Sequence, residues 1–203
     1  MVDERIYEMF REIGEDLYTA QMISSHGGNL SIRLGDRIII KRRGAQLGRL
    51  KPQDLIETRL DKNDSGVVLA STELIVHRAI YQQTPALAVC HCHPRTAVAF
   101  SFSRDALVPI DNEASYLLKK IPVVTEEFAS GTPQMANKVA GALKDYKIIM
   151  LRGHGSFAIG STLEEAFHWS STLEESAQME LAAKLINEPF IEYRGMTDGY
   201  KTF

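Results

Sequence analysis

Residues 86–93, Ala-Leu-Ala-Val-Cys-His-Cys-His, constrain this chain most. The run is apolar at its start, short, and closed by Pro94, and it reads as a buried strand. Before it, Ser71-Thr72-Glu73 opens a helix that carries Leu74, Ile75, His77, Arg78 and Tyr81 to about residue 81, with Ser71 as the natural N-cap. After it, Pro94 opens another helix, its ring at a first-turn position. A buried strand between two helices requires a sheet covered by helices.

The rest of the pattern fits that requirement. Ile6, Met9, Phe10, Ile13, Leu17 and Tyr18 have helical spacing, with Asp3 able to cap. Leu30–Arg33 and Arg37–Lys41 read as strands around the turn Gly35-Asp36. Asp54–Thr58 and Val67–Leu69 are further strand candidates, and residues 113–119 a short helix. Ile121–Val124, Lys147–Leu151 and Phe157–Ile159 read as strands, and Thr132-Pro133 opens a helix ending near Leu143. Thr162 with Glu165 predicts a capping box on a long helix reaching about Leu185. Helices and strands do not alternate regularly, so the sheet is expected to be largely antiparallel or mixed. One domain over residues 1–203 suits the length.

Composition excludes several classes. Apolar residues make up 44% and charged residues 24%, and the net charge is −3, with no basic footprint for nucleic acid. No apolar run approaches the roughly 20 residues of a membrane span. The start Met1-Val2-Asp3-Glu4-Arg5 lacks the pattern of a signal peptide. The two cysteines, Cys90 and Cys92, suit core packing rather than a disulfide framework. A cytoplasmic location is the expectation.

Three of the six histidines stand in unusual places. His91 and His93, two apart on a strand, face one way at its mouth. His154 lies between Gly153 and Gly155, which permit close backbone approach. Three imidazoles plus an open position is a common arrangement at catalytic zinc. Isolated histidines are more often core or surface residues, so spacing alone leaves both roles open. His26, His77 and His168 read as structural or surface residues, although Glu73 and His77 can pair on one helix face. Glu73 near a helix start is favoured by the dipole whatever its role. Ser71 and Thr72 add hydroxyls at that anion-attracting end, and Gly27-Gly28-Asn29 and Lys41-Arg42-Arg43-Gly44 are candidate walls of the same site.

Gly28-Asn29-Leu30-Ser31, Ser71-Thr72-Glu73 with His77, His91-Cys92-His93 and Arg152-Gly153-His154-Gly155, in this order, resemble the class II aldolase/adducin family. Glu174-Glu175-Ser176-Ala177-Gln178 is similar to its last helix. The resemblance runs from about residue 6 to about residue 185 and is nearest to the L-fuculose-phosphate aldolases. It implies a three-layer α/β/α fold around a mainly antiparallel sheet and a homotetramer with active sites at subunit interfaces. It implies zinc held by His91, His93 and His154, with Glu73 able to ligate the metal and carry the proton. Phosphate would be bound at Gly28, Asn29, Arg43, Gly44, Ser71 and Thr72.

The reaction implied is aldol cleavage of a ketose 1-phosphate to dihydroxyacetone phosphate and an aldehyde, through a metal-stabilised enediolate. Methylthioribulose-phosphate dehydratase and ribulose-phosphate 4-epimerase activities use the same fold, and a non-catalytic adducin-like module would lack the histidines. The chain departs from the family in two places. Lys41-Arg42-Arg43-Gly44 stands where Thr-Pro-Ser-Gly is usual, and Ile110-Asp111-Asn112-Glu113 lacks the tyrosine that a neighbouring subunit contributes. Tyr116 is the expected substitute, with Tyr193 and Tyr200 as further candidates.

Overall fold

The computed structural model describes residues 2–127 and 131–193. Eight strands form one sheet: β1 (Asn29–Leu34), β2 (Arg37–Lys41), β3 (Leu55–Arg59), β4 (Ala88–Cys92), β5 (Ala106–Leu107), β6 (Ile121–Val124), β7 (Ile148–Leu151) and β8 (Gly155–Gly160). Their order is β3-β2-β1-β4-β8-β7-β6-β5. Among the described residues only β6 and β7 pair in parallel. Among the described residues six α-helices cover it: α1 (Glu4–Thr19), α2 (Leu74–Gln83), α3 (Arg95–Ser101), α4 (Asn112–Leu117), α5 (Pro133–Ala142) and α6 (Leu163–Ile186).

Strand alternation sorts the core into two halves. On one face Cys90 and Cys92 of β4 and Met150 of β7 join Phe10 and Leu17 of α1, Ala97 of α3 and Trp169 and Leu173 of α6. On the other, Val89, Ile149, Leu151 and Phe157 pack under Val76 and Ile80 of α2 and Met135 and Val139 of α5. This is a three-layer α/β/α arrangement around a mainly antiparallel sheet, as expected. The cysteines are buried, unpaired thiols on the face away from His91.

The caps follow the local chemistry. Asp3 accepts from Arg5 N, Thr132 from Met135 N and Thr162 from Glu165 N. Glu165 reaches past the expected partner to Ser161 N. Two expectations need correction. Val67–Leu69 is not a strand, because the Asp64 carboxylate takes Gly66 N and winds Ser65–Val68 into a 3-10 turn. Val68 and Leu69 are left exposed there. Ser71 is not the cap of α2, since Glu73 itself holds the N-cap position. The Ser71 hydroxyl instead accepts from Glu73 N in the preceding turn.

Candidate active site

The antiparallel register of β1 and β4 pairs Asn29 with His91. Gly28, at φ +68°, makes this approach possible, since a Cβ there would sit 2.8 Å from the His91 carbonyl. His93 follows the end of β4, and its N–H is held by the Met22 carbonyl. His154 sits in the turn between β7 and β8. A Cβ on Gly155 would lie 2.3 Å from the Cys92 carbonyl and 2.7 Å from the His93 ring, so only glycine lets this turn reach the other two histidines.

The three imidazoles converge, with one ligating atom from each within 4.8 Å of the others. His91 is fixed on two sides. Its Nδ1 donates to the Ser156 carbonyl at 2.8 Å, and Phe157 stacks on its ring. With Nδ1 committed as donor, Nε2 is a lone pair. That lone pair lies 3.1 Å from Glu73 Oε2 and 3.1 Å from His93 Nε2. Either neighbour could meet it with a hydrogen, and a single cation could be shared by all three. Glu73 Oε1 and His154 Nδ1 are buried with no hydrogen-bond partner among the described residues, and Oε1 lies 3.8 Å from His154 Nε2. Burial holds His91 well below the usual histidine range, helped by His93 and His154. Burial, His154 and Lys41 lower His93 to about 4. Neutral imidazoles are the form that binds a metal. The residues therefore fit a divalent ion.

Glu73 is raised above the usual carboxylate range by burial, against the opposing pull of its Asn29 hydrogen bond, His154 and Lys41. The bond from Asn29 Nδ2 to Oε2 is 2.7 Å. His77 does not pair directly with Glu73 as anticipated. Its Nε2 bonds the same Asn29 through Oδ1, so the amide bridges carboxylate and imidazole.

A cavity of about 190 Å³ joins these groups to the basic segment, lined by Gly28, Asn29, Lys41, Arg43, Gly44, Ser71, Thr72, Glu73 and the three histidines. Every proposed ligand and anion-binding position thus meets in one place. Within the basic segment the roles divide. Arg42 turns away to Asp54, with both Nε and Nη2 on Oδ1. Arg43 and Lys41 line the cavity. Lys41 is almost wholly buried and donates to the His26 carbonyl at 3.0 Å. Burial lowers its ammonium to about 8, with Glu73 and Asp54 pulling the other way. A second groove, about 1310 Å³ between α1 and α6, is walled by Glu4, Glu8, Glu12, Asp16, Glu164 and Glu165, which repel phosphate.

Several contacts around the site are not legible in the sequence. Glu174 of α6 accepts from Thr96 N and Ala97 N, anchoring α3 directly after His93-Pro94. Phe157 and the Ser156 carbonyl, which fix His91, carried no signal beyond being part of a strand. Tyr116 is 60% exposed on α4 and does not line the cavity of its own chain. Tyr193 hydrogen-bonds through its backbone N–H to the Ile110 carbonyl. Tyr200 lies outside the described residues. No helix among the described residues is long and apolar enough to cross a membrane.

The model of the Class II Aldolase and Adducin N-terminal domain family matches residues 8–181. An L-fuculose phosphate aldolase of Methanococcus maripaludis is 33% identical over 173 residues, covering 84% of this chain and 93% of that protein. A 3-oxo-tetronate 4-phosphate decarboxylase of Haemophilus influenzae is 27% identical, covering 88% of each. The crystal structure of L-fuculose-1-phosphate aldolase from Thermus thermophilus superposes with a TM-score of 0.87 at 40% identity, covering 93% of this chain and all of that one. On the family match and the shared fold, this chain belongs to the class II aldolase and adducin N-terminal domain family.

Proposed function

We propose that the chain is a zinc-dependent aldolase that cleaves a ketose 1-phosphate resembling L-fuculose 1-phosphate, giving dihydroxyacetone phosphate and an aldehyde. The observation that carries this reading is Glu73: a buried carboxylate with one oxygen outside any hydrogen bond, beside three converging imidazoles and a cationic cavity. His91, His93 and His154 would hold the ion, with Glu73 Oε2 at its edge. When bound, the ion supplies Lewis-acid stabilisation of the negative charge left as the carbon–carbon bond breaks.

The chain's own groups do the rest. Lys41, Arg43 and the backbone around Gly28, Gly44, Ser71 and Thr72 bind and orient the phosphate. Asn29 has a second amide hydrogen free to join them once the first is given to Glu73. That grip sets the reacting carbon against Glu73, whose carboxyl burial holds above its ordinary range, the direction that suits a group taking up and returning a proton. Tyr116, exposed on α4, serves the aldehyde oxygen at a neighbouring copy's site within a homotetramer.

The test is product identification with zinc-loaded protein and a panel of ketose 1-phosphates. Dihydroxyacetone phosphate with an aldehyde is expected. Carbon dioxide release from 3-oxo-tetronate 4-phosphate, with the ketoses untouched, would overturn the reading in favour of the activity named for the Haemophilus influenzae relative. Glu73→Gln should keep most of its zinc and lose about 10²- to 10⁴-fold in turnover. Normal turnover would remove Glu73 from the proton-carrying role.

A further inference from the structure

Behind Glu73 and Asn29 lie Ser31, His77 and Tyr81, buried polar groups that do not line the cavity. Glu73, His77 and Tyr81 stand at i, i+4 and i+8 on one face of α2, and Asn29 and Ser31 stand at i and i+2 on the facing side of β1. Four residues of helix rise about 6 Å and two of strand about 6.6 Å, so the two rows interlock. Ser31 Oγ lies 2.6 Å from His77 Nδ1 and 2.7 Å from Tyr81 Oη. His77 Nε2 meets Asn29 Oδ1 at 2.5 Å, and Asn29 Nδ2 meets Glu73 Oε2 at 2.7 Å.

The donors in this line have one consistent order. An ionised carboxylate only accepts, so Asn29 must turn its NH₂ to Glu73 and its carbonyl to His77. That carbonyl requires a hydrogen on His77 Nε2. A neutral ring then has a bare Nδ1, which accepts from the Ser31 hydroxyl. Ser31 has no second hydrogen, so it accepts from Tyr81. Burial keeps the His77 ring neutral, lowering it to about 3. Oε2 of Glu73 thus receives a fixed donor, while Oε1 has no hydrogen bond and lies 3.8 Å from His154 Nε2.

We propose that His77, backed by Ser31 and Tyr81, is a positioning residue that locks the Asn29 amide with its NH₂ towards Glu73 Oε2 and so holds the Glu73 carboxylate in the orientation the reaction needs. The functional part of this proposal rests on the aldolase reading, whereas the direction of the hydrogen-bond line does not.

Two measurements test it. In ¹⁵N-labelled metal-free protein, long-range ¹H–¹⁵N correlations should show His77 as the Nε2–H tautomer. An Nδ1–H tautomer would overturn the proposal, whatever reaction the enzyme performs. In the zinc-loaded enzyme, His77→Leu should lower kcat by about 10- to 100-fold with bound zinc little changed. His77→Gln, which keeps an N–H donor where Nε2 stands, should recover most of that loss. Equal losses in both variants, or a loss confined to KM, would reduce His77 to a packing residue. If no ketose phosphate is cleaved, the aldolase reading falls while the tautomer still decides the direction of the line.

Discussion

Phe157 lies almost flat against the His91 imidazole, with ring centroids 4.1 Å apart and planes 17° apart. The two are cross-strand partners on β4 and β8. With the Ser156 carbonyl on Nδ1, this stacking leaves His91 one orientation in which Nε2 faces the other histidines. Ligands held from behind in this way bind their ion more tightly than free ones.

Phe157→Leu should therefore weaken zinc as well as the fold. Phe157 is fully buried, and the shorter side chain leaves space beside His91. A loss of about 1–3 kcal/mol is expected in urea titrations of the metal-free protein. Competition with a chelating dye should show zinc affinity falling by about 10-fold or more. Unchanged affinity at reduced stability would mean that Phe157 packs the core and does no more.

Lys41→Met should move affinity and stability in opposite directions. Methionine keeps the apolar length of the side chain and removes the charge. The buried ammonium weakens the free protein, as its lowered pKa records. It should strengthen the hold on an anionic substrate. KM for the phosphorylated substrate is expected to rise about tenfold or more, the loss of one charge-assisted contact, while the melting temperature holds or rises. A KM that stays put would place the phosphate on Arg43 and the backbone alone.

The metal-free protein should lose stability as pH falls from about 6.5. His77 and His93 are lowered to about 3 and about 4 by burial, whereas unfolded histidine titrates near 6.5. Between those values the unfolded chain binds more protons, so stability is complete above about 6.5 and declines towards the folded values. Each histidine contributes up to about 1.4 kcal/mol per pH unit. Urea midpoints at pH 7.5, 6 and 5 measure the slope, and His77→Gln should flatten part of it. Equal midpoints at all three would contradict buried, neutral rings.

Local pattern determined much of this molecule. Alternation on β4 put His91 on one face and Cys90 and Cys92 on the other, because successive strand side chains must oppose. The caps Asp3, Thr132 and Thr162 were legible because each needs only its own helix start. So was the spacing of Glu73, His77 and Tyr81. Tertiary structure decided which partners those side chains chose. Nothing local could show that Asn29 would reach a carboxylate 44 residues away, since that depends on how α2 lies over β1. Nor could it show that Arg42 would leave the cavity for Asp54 while Lys41 stayed, since adjacent strand residues differ only in what each face meets. Val67–Leu69 failed as a strand for the same reason: an apolar run becomes a strand only where an edge is free to pair with it, and here Asp64 had already turned the chain.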